Sequence, residues 1–169
     1  RVTRAESYWH QYLADHRVMY ARYDRCADMP TKSVSAWARE VMKDVDTHSP
    51  RAIAIDLRRN AGGNSGLLHP LIDRLRAWKR QDTSRRVYAI VGPMTFSSGV
   101  TNALDLRAYA GAIIVGEEPG QAIGNFGEVR KLRLPNAGFD VSYATTTRDD
   151  PRKPTPIPIE LAAPMDSAA

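Results

Sequence analysis

The chain has 169 residues, 43% hydrophobic and 25% charged, with a net charge of +5 at neutral pH. That composition is the globular norm and argues against a disordered chain, and the length fits one domain that buries its own core. A single cysteine, Cys26, leaves no disulfide framework or cysteine-based zinc site, and the four histidines are dispersed without a metal-binding spacing.

Strand and helix periods alternate along the chain. Residues 18–23, rich in Val and Tyr, read as the first strand. Ser33 is an N-cap for a helix to about His48, with Val34, Trp37, Ala38, Val41, Met42 and Val45 at helical spacing and Ser49-Pro50 as the stop. Residues 51–57 hold a short continuous apolar run, Ala52 to Ile55, as in a strand covered on both faces. A second helix runs from about Leu67 to Arg80, with Pro70 confined to its first turn. Residues 86–91 form the next strand, residues 98–109 a third helix stopped by Gly111, and residues 112–115 another strand. Residues 128–134 then alternate, setting Val129, Lys131 and Arg133 against Arg130, Leu132 and Leu134. Residues 139–144 follow after a Pro-Asn-Ala-Gly turn, as in a β-hairpin. From Asp149 the chain carries five of its eleven prolines and reads as an extended segment. The division is a core domain over 1–148 and a proline-rich tail over 149–169.

No run approaches the roughly 20 apolar residues of a membrane span, and no charged-then-apolar leader opens the chain. The first residue is Arg rather than Met, which suggests a processed form or an excised domain. Its 19 Arg and 5 Lys are spread among 19 acids, the pattern of a solvated basic surface rather than a nucleic-acid interface.

A β-α-β-α-β-α-β succession implies a mostly parallel sheet, whose ligands sit at the carboxyl ends of the strands. That rule selects three glycine-bearing loops. The first, 58–66, carries Gly62-Gly63, whose backbone amides suit a developing oxyanion as well as a plain strand-to-helix turn. The second, 92–98, ends in Ser97-Ser98 at a helix start, where a serine either caps the helix or serves as an exposed nucleophile. The third, 116–127, has four glycines between Gly116 and Gly127. Cys26 reads as a small buried residue.

Together these loops resemble the S41 family of serine peptidases, the tail-specific or carboxy-terminal processing proteases. The matching stretches are Ile55-Asp56-Leu57-Arg58-Arg59-Asn60-Ala61-Gly62-Gly63, Thr95-Phe96-Ser97-Ser98 and Val115-Gly116-Glu117, with Leu134-Pro135-Asn136-Ala137-Gly138 resembling the closing hairpin of one subgroup. The resemblance spans about residues 8–160. It implies a crotonase-like (ClpP/crotonase) α/β spiral core with a C-terminal β-hairpin, peptide or protein substrates and no cofactor. Ser97 would be the nucleophile, and the amides of Gly62 or Gly63 and of Ser98 the oxyanion donors. A one-residue exchange of roles between Ser97 and Ser98 stays open. Family members usually work outside the cytoplasm, which implies a periplasmic or secreted setting.

The sequence departs from the family at the general base. The usual Lys, about 25 residues after the serine and followed by Gln, has no counterpart in Gln121-Ala122-Ile123-Gly124-Asn125-Phe126. The remaining candidates are Lys131 and His69, then His10 and His16, or a residue from a missing domain. The interval before Arg51 leaves no room for a PDZ insert. The absent lysine favours a second reading, an inactive domain that binds a peptide or partner. An acyl-CoA enzyme of the crotonase type would use Glu117, Glu118 or Glu128 instead, and a purely structural domain is the fourth reading.

Overall fold

A computed structural model describes residues 6–148 and 155–163. The strands are β1 (Tyr8–Leu13), β2 (Val18–Tyr23), β3 (Ala52–Asp56), β4 (Arg86–Val91), β5 (Ile113–Gly116), β6 (Asn125–Arg133), β7 (Asp140–Arg148) and β8 (Leu161–Ala162). The helices are α1 (Val34–His48), α2 (His69–Gln81) and α3 (Ser98–Ala110). The fold is α/β. Six strands form one sheet in the order β1-β2-β3-β4-β5-β8, parallel throughout except for the antiparallel pair β1-β2.

The helices start and stop for local reasons. The Ser33 hydroxyl accepts the Ala36 N–H at 3.1 Å and caps α1. Pro70 sits in the first turn of α2, where its missing N–H is not needed. Gly111 ends α3 at φ 60°, and α1 ends at Ser49 with φ 46°. Strands β2 to β5 are neighbours in chain order, so right-handed crossovers place all three helices on one side. The residues that face them in register across the sheet, Ala21, Ile55, Ala89 and Ile114, are fully buried. They pack in one core with Trp37, Val41, Leu71, Leu75, Val100 and Leu106. Trp37 lies stacked on Tyr23 at 5.6 Å and tilted against Tyr8 at 5.2 Å. The next row on the opposite face, Tyr20, Ala54, Tyr88 and Ile113, is less thoroughly covered.

Two strands differ from the sequence expectation. The sheet begins one strand earlier, because β1 precedes β2 as an antiparallel hairpin turned through Arg17 at φ 52°. Within the proline-rich stretch, Leu161 and Ala162 pair with Val115 and Gly116 as β8, and Ile157 is buried in the core. The expected hairpin is present as β6–β7, a second sheet of its own.

Candidate active site

The parallel strands end at Tyr23, Asp56, Val91 and Gly116, so the loops after them meet along one edge of the sheet. The loop after β4 is tied to the loop after β3 at two points. The buried Thr95 hydroxyl donates to the Leu57 carbonyl at 2.9 Å and accepts the Gly92 N–H at 3.0 Å. The Phe96 N–H donates to the Asn60 carbonyl at 2.9 Å. Held between these anchors, Ser97 takes φ 50° and ψ −122°, a conformation that L-residues rarely adopt. It stands at the N-cap of α3 without capping it. Its side chain is exposed, and its hydroxyl makes no hydrogen bond among the described residues.

Ser98 is placed differently. Its hydroxyl donates to the Gly63 carbonyl at 2.5 Å and is thereby engaged. Its amide lies in the first turn of α3, where backbone N–H groups have no helical acceptor and the dipole favours negative charge.

Gly62 and Gly63 have φ of 108° and 133°. A Cβ on Gly62 would stand 2.8 Å from the Ser97 Cβ and 3.2 Å from the Ser98 nitrogen, so the glycine loop lies directly against the serine elbow. A Cβ on Gly63 would stand 2.2 Å from the Cys26 carbonyl oxygen. The segment at Cys26 runs alongside, with Cys26 N–H to Gly62 C=O at 3.0 Å and Asn64 N–H to Cys26 C=O at 2.7 Å. The amide of Gly62 is already used, since it donates to Asn60 Oδ1 at 2.9 Å. The amide of Gly63 has no such partner among the described residues.

Beneath the loop lies a buried polar cluster that the sequence did not reveal. Asn60, fully buried, donates through Nδ2 to the Tyr23 carbonyl at 2.8 Å. The Cys26 thiol lies 3.3 Å from Asn60 Oδ1 and 3.2 Å from Asn102 Oδ1, and Asn102 donates to the Ser65 carbonyl at 2.9 Å. Burial pushes the Cys26 thiol pKa up, so it stays protonated. Asp56 closes the base of the same loop. It accepts from the Arg58 N–H at 2.9 Å, from the Arg58 guanidinium at 2.8 Å and from the Tyr20 hydroxyl. Burial alone would raise its pKa, but these bonds outweigh it and hold the carboxyl below its ordinary value.

The third loop completes the wall. The side-chain carbonyl of Gln121 accepts the Ser97 N–H at 2.5 Å, and a Cβ on Gly120 would stand 2.4 Å from the Pro93 carbonyl. Gln121 is thus the residue of the lysine-free stretch that reaches the elbow. The base candidates lie elsewhere. His69 pairs with Asp105 at 3.2 Å, and Asp105 is two turns along α3 from Ser98, about 10 Å down the axis. His10 pairs with Asp44 at 3.0 Å. His16 is in the β1–β2 turn, at the opposite end of the sheet. Lys131 is exposed on β6. A basic groove lined by Arg76, Lys79 and Arg80 lies at the C-terminal ends of α2 and α3, away from these loops, and Lys79 caps the Gly111 carbonyl there.

The edge of a mostly parallel α/β sheet thus presents a strained serine against paired glycines. No protein-family model and no curated protein matches the sequence. Among solved structures, the chain superposes on a Parabacteroides merdae protein described as a peptidase, with a TM-score of 0.64 at 15% identity over 98% of this chain and 60% of that one. The photosystem II D1 C-terminal processing protease gives 0.60 at 14% identity over 87% and 42%. A Bacteroides fragilis protein described as an S41 protease gives 0.58 at 15% over 87% and 47%. The fold is that of S41 peptidases, and this chain spans 42 to 60% of the length of those three.

Proposed function

We propose that the chain carries the nucleophile and oxyanion site of a serine-type peptidase of the S41 kind, with Ser97 attacking the scissile carbonyl. The observation that carries this reading is Ser97 itself, exposed at positive φ beside Gly62 while Ser98 is occupied by Gly63. A serine held strained at a helix N-terminus, without capping the helix, suits attack rather than structure. The amides of Gly63 and Ser98 would hold the tetrahedral oxyanion, and Asn60, by taking the Gly62 amide, leaves Gly63 to that task. The β-α succession is read as the core of a crotonase-like spiral, the substrates as peptides or proteins, and the setting as periplasmic or secreted. No helix among the described residues is long and apolar enough to cross a membrane.

A second reading is favoured by one observation. The side chain that reaches the elbow is Gln121, an amide that cannot take a proton from serine. In that reading the cleft binds a polypeptide without cutting it. Labelling with a fluorophosphonate probe separates the two. Labelling of the wild type that is lost in Ser97→Ala and kept in Ser98→Ala supports the peptidase. A folded wild type that takes no label supports the binding domain.

A further inference from the structure

The hairpin β6–β7 is the largest feature that the proposed chemistry leaves unused. Its register sets Arg130 opposite Tyr143 and Leu132 opposite Val141, and the Leu134 N–H donates to the Phe139 carbonyl at 3.0 Å in continuation of that ladder. Opposed residues share a face and the period is two, so Leu132, Leu134, Phe139, Val141 and Tyr143 form one apolar stripe. Leu132, Phe139, Val141 and Tyr143 are 54, 56, 39 and 47% exposed. The other face carries Lys131, Ser142 and the Arg133–Asp140 ion pair at 3.2 Å, with Val129 and Ala144 as its apolar members. This is the pattern of a ribbon built to cover its stripe with something else, because a lone two-stranded ribbon is marginal in water.

The placement of the hairpin says what that is. The chain passes from Gln121, bound to the Ser97 amide, through Ile123, bridged to Thr155, directly into β6 at Asn125. The arm therefore grows out of the wall of the proposed active site. Its stripe offers roughly 400 Å² of apolar side chain. A stable dimer needs about 800 Å² from each partner, so two arms packed together fall short. An extended peptide needs less apolar area, because it also gains main-chain hydrogen bonds along a strand edge. Among the described residues β6 and β7 form a sheet of two strands, so each strand is an edge strand.

We infer that the β6–β7 arm is a substrate-docking arm, seating an extended apolar segment of the polypeptide whose scissile bond is presented to Ser97. The inference rests on the peptidase reading for what happens to the bound chain, but binding is measurable without cleavage. The test uses the whole chain carrying Ser97→Ala, with fluorescein-labelled β-casein, an unfolded apolar polypeptide, as probe. Leu132→Thr/Phe139→Thr removes the two most exposed of the five apolar side chains and keeps strand-forming residues. It is expected to weaken binding measured by fluorescence anisotropy at least tenfold, whereas Val129→Thr on the opposite face changes it less than twofold. β-Casein is also expected to slow hydrogen exchange of amides 129–147 in the Ser97→Ala chain. Equal binding by the parent and the double variant, without protection of the arm, overturns the inference. So does a parent that sediments as a dimer and a double variant that sediments as a monomer, since a second copy then occupies the stripe. If fluorophosphonate labelling fails but the arm variant loses β-casein, the peptidase reading falls and the docking arm stands.

Discussion

Asn60 joins the two halves of the candidate site. Its side chain holds Gly62 and Tyr23, and its carbonyl holds Phe96 at the foot of the serine elbow. Asn60→Ala would leave a buried N–H and a buried carbonyl without partners, each costing about 1–3 kcal/mol. The expected outcome is a loss of about 2–4 kcal/mol in urea denaturation, and slower labelling of Ser97 in the fraction that remains folded. Asp56 is tied to Arg58 and Tyr20, and its carboxyl pKa is held below the ordinary 3.8. The unfolded chain therefore binds that proton first. Asp56 contributes its full stability above about pH 4 and loses it as the pH falls through the depressed native value. Asp56→Asn should cost about 3 kcal/mol at neutral pH and flatten the acid limb of the stability profile, read from Tm between pH 2 and 7. Tyr20, its pKa pushed up to about 12 by burial and then by Asp56, stays protonated throughout that range. At Gln121 the expectation is a gain. A neutral lysine amine can accept the proton that an amide cannot, so Gln121→Lys should speed labelling of Ser97 at pH 8 at least tenfold.

At the scale of the element, legibility followed how local the determinant is. The apolar spacing and caps of α1 and α2, and the continuous apolar run of β3, lie within single stretches, and the structure has those elements where the pattern put them. The Ser97-Ser98 and Gly62-Gly63 motifs were equally local. Strand β1 was not legible, because only Tyr8 of its six residues is fully buried and His10 and Gln11 break the apolar pattern. Strand β8 has two residues, and its pairing to β5 spans more than forty positions, so no window on the sequence contains its cause. The Asn60–Cys26–Asn102 cluster and the reach of Gln121 to Ser97 are distant in the same way. A polar Asn between a buried strand end and two glycines was the available signal for the first of these. The β8 segment has its own anchor in Glu160, which binds Arg107 at 2.8 Å and the Ile114 N–H at 2.5 Å. Glu160→Ala should lower Tm through a loss of about 1–2 kcal/mol, with accelerated hydrogen exchange at Ile114.

Across the whole molecule, the proposed site has an exposed serine and two candidate amide donors, but among the described residues no histidine or lysine side chain lies beside the Ser97 hydroxyl. The chain spans 42 to 60% of the three solved proteins whose fold it shares, so a base supplied by a further segment is compatible with this geometry. The two situations give different pH profiles. A histidine acting on Ser97 would make the labelling rate rise with a midpoint near pH 6.5 and then level off. With no resident base, the rate instead follows hydroxide, climbing about tenfold per pH unit from 6 to 9 without a plateau. The expectation for this chain alone is the second profile, measured as the initial rate of fluorophosphonate incorporation. A plateau that survives His69→Gln and His10→Gln would mean that the elbow recruits its proton acceptor from another residue of the chain. A plateau abolished by His69→Gln would require α2 to shift toward Ser98 when the site is occupied, drawing His69 away from Asp105.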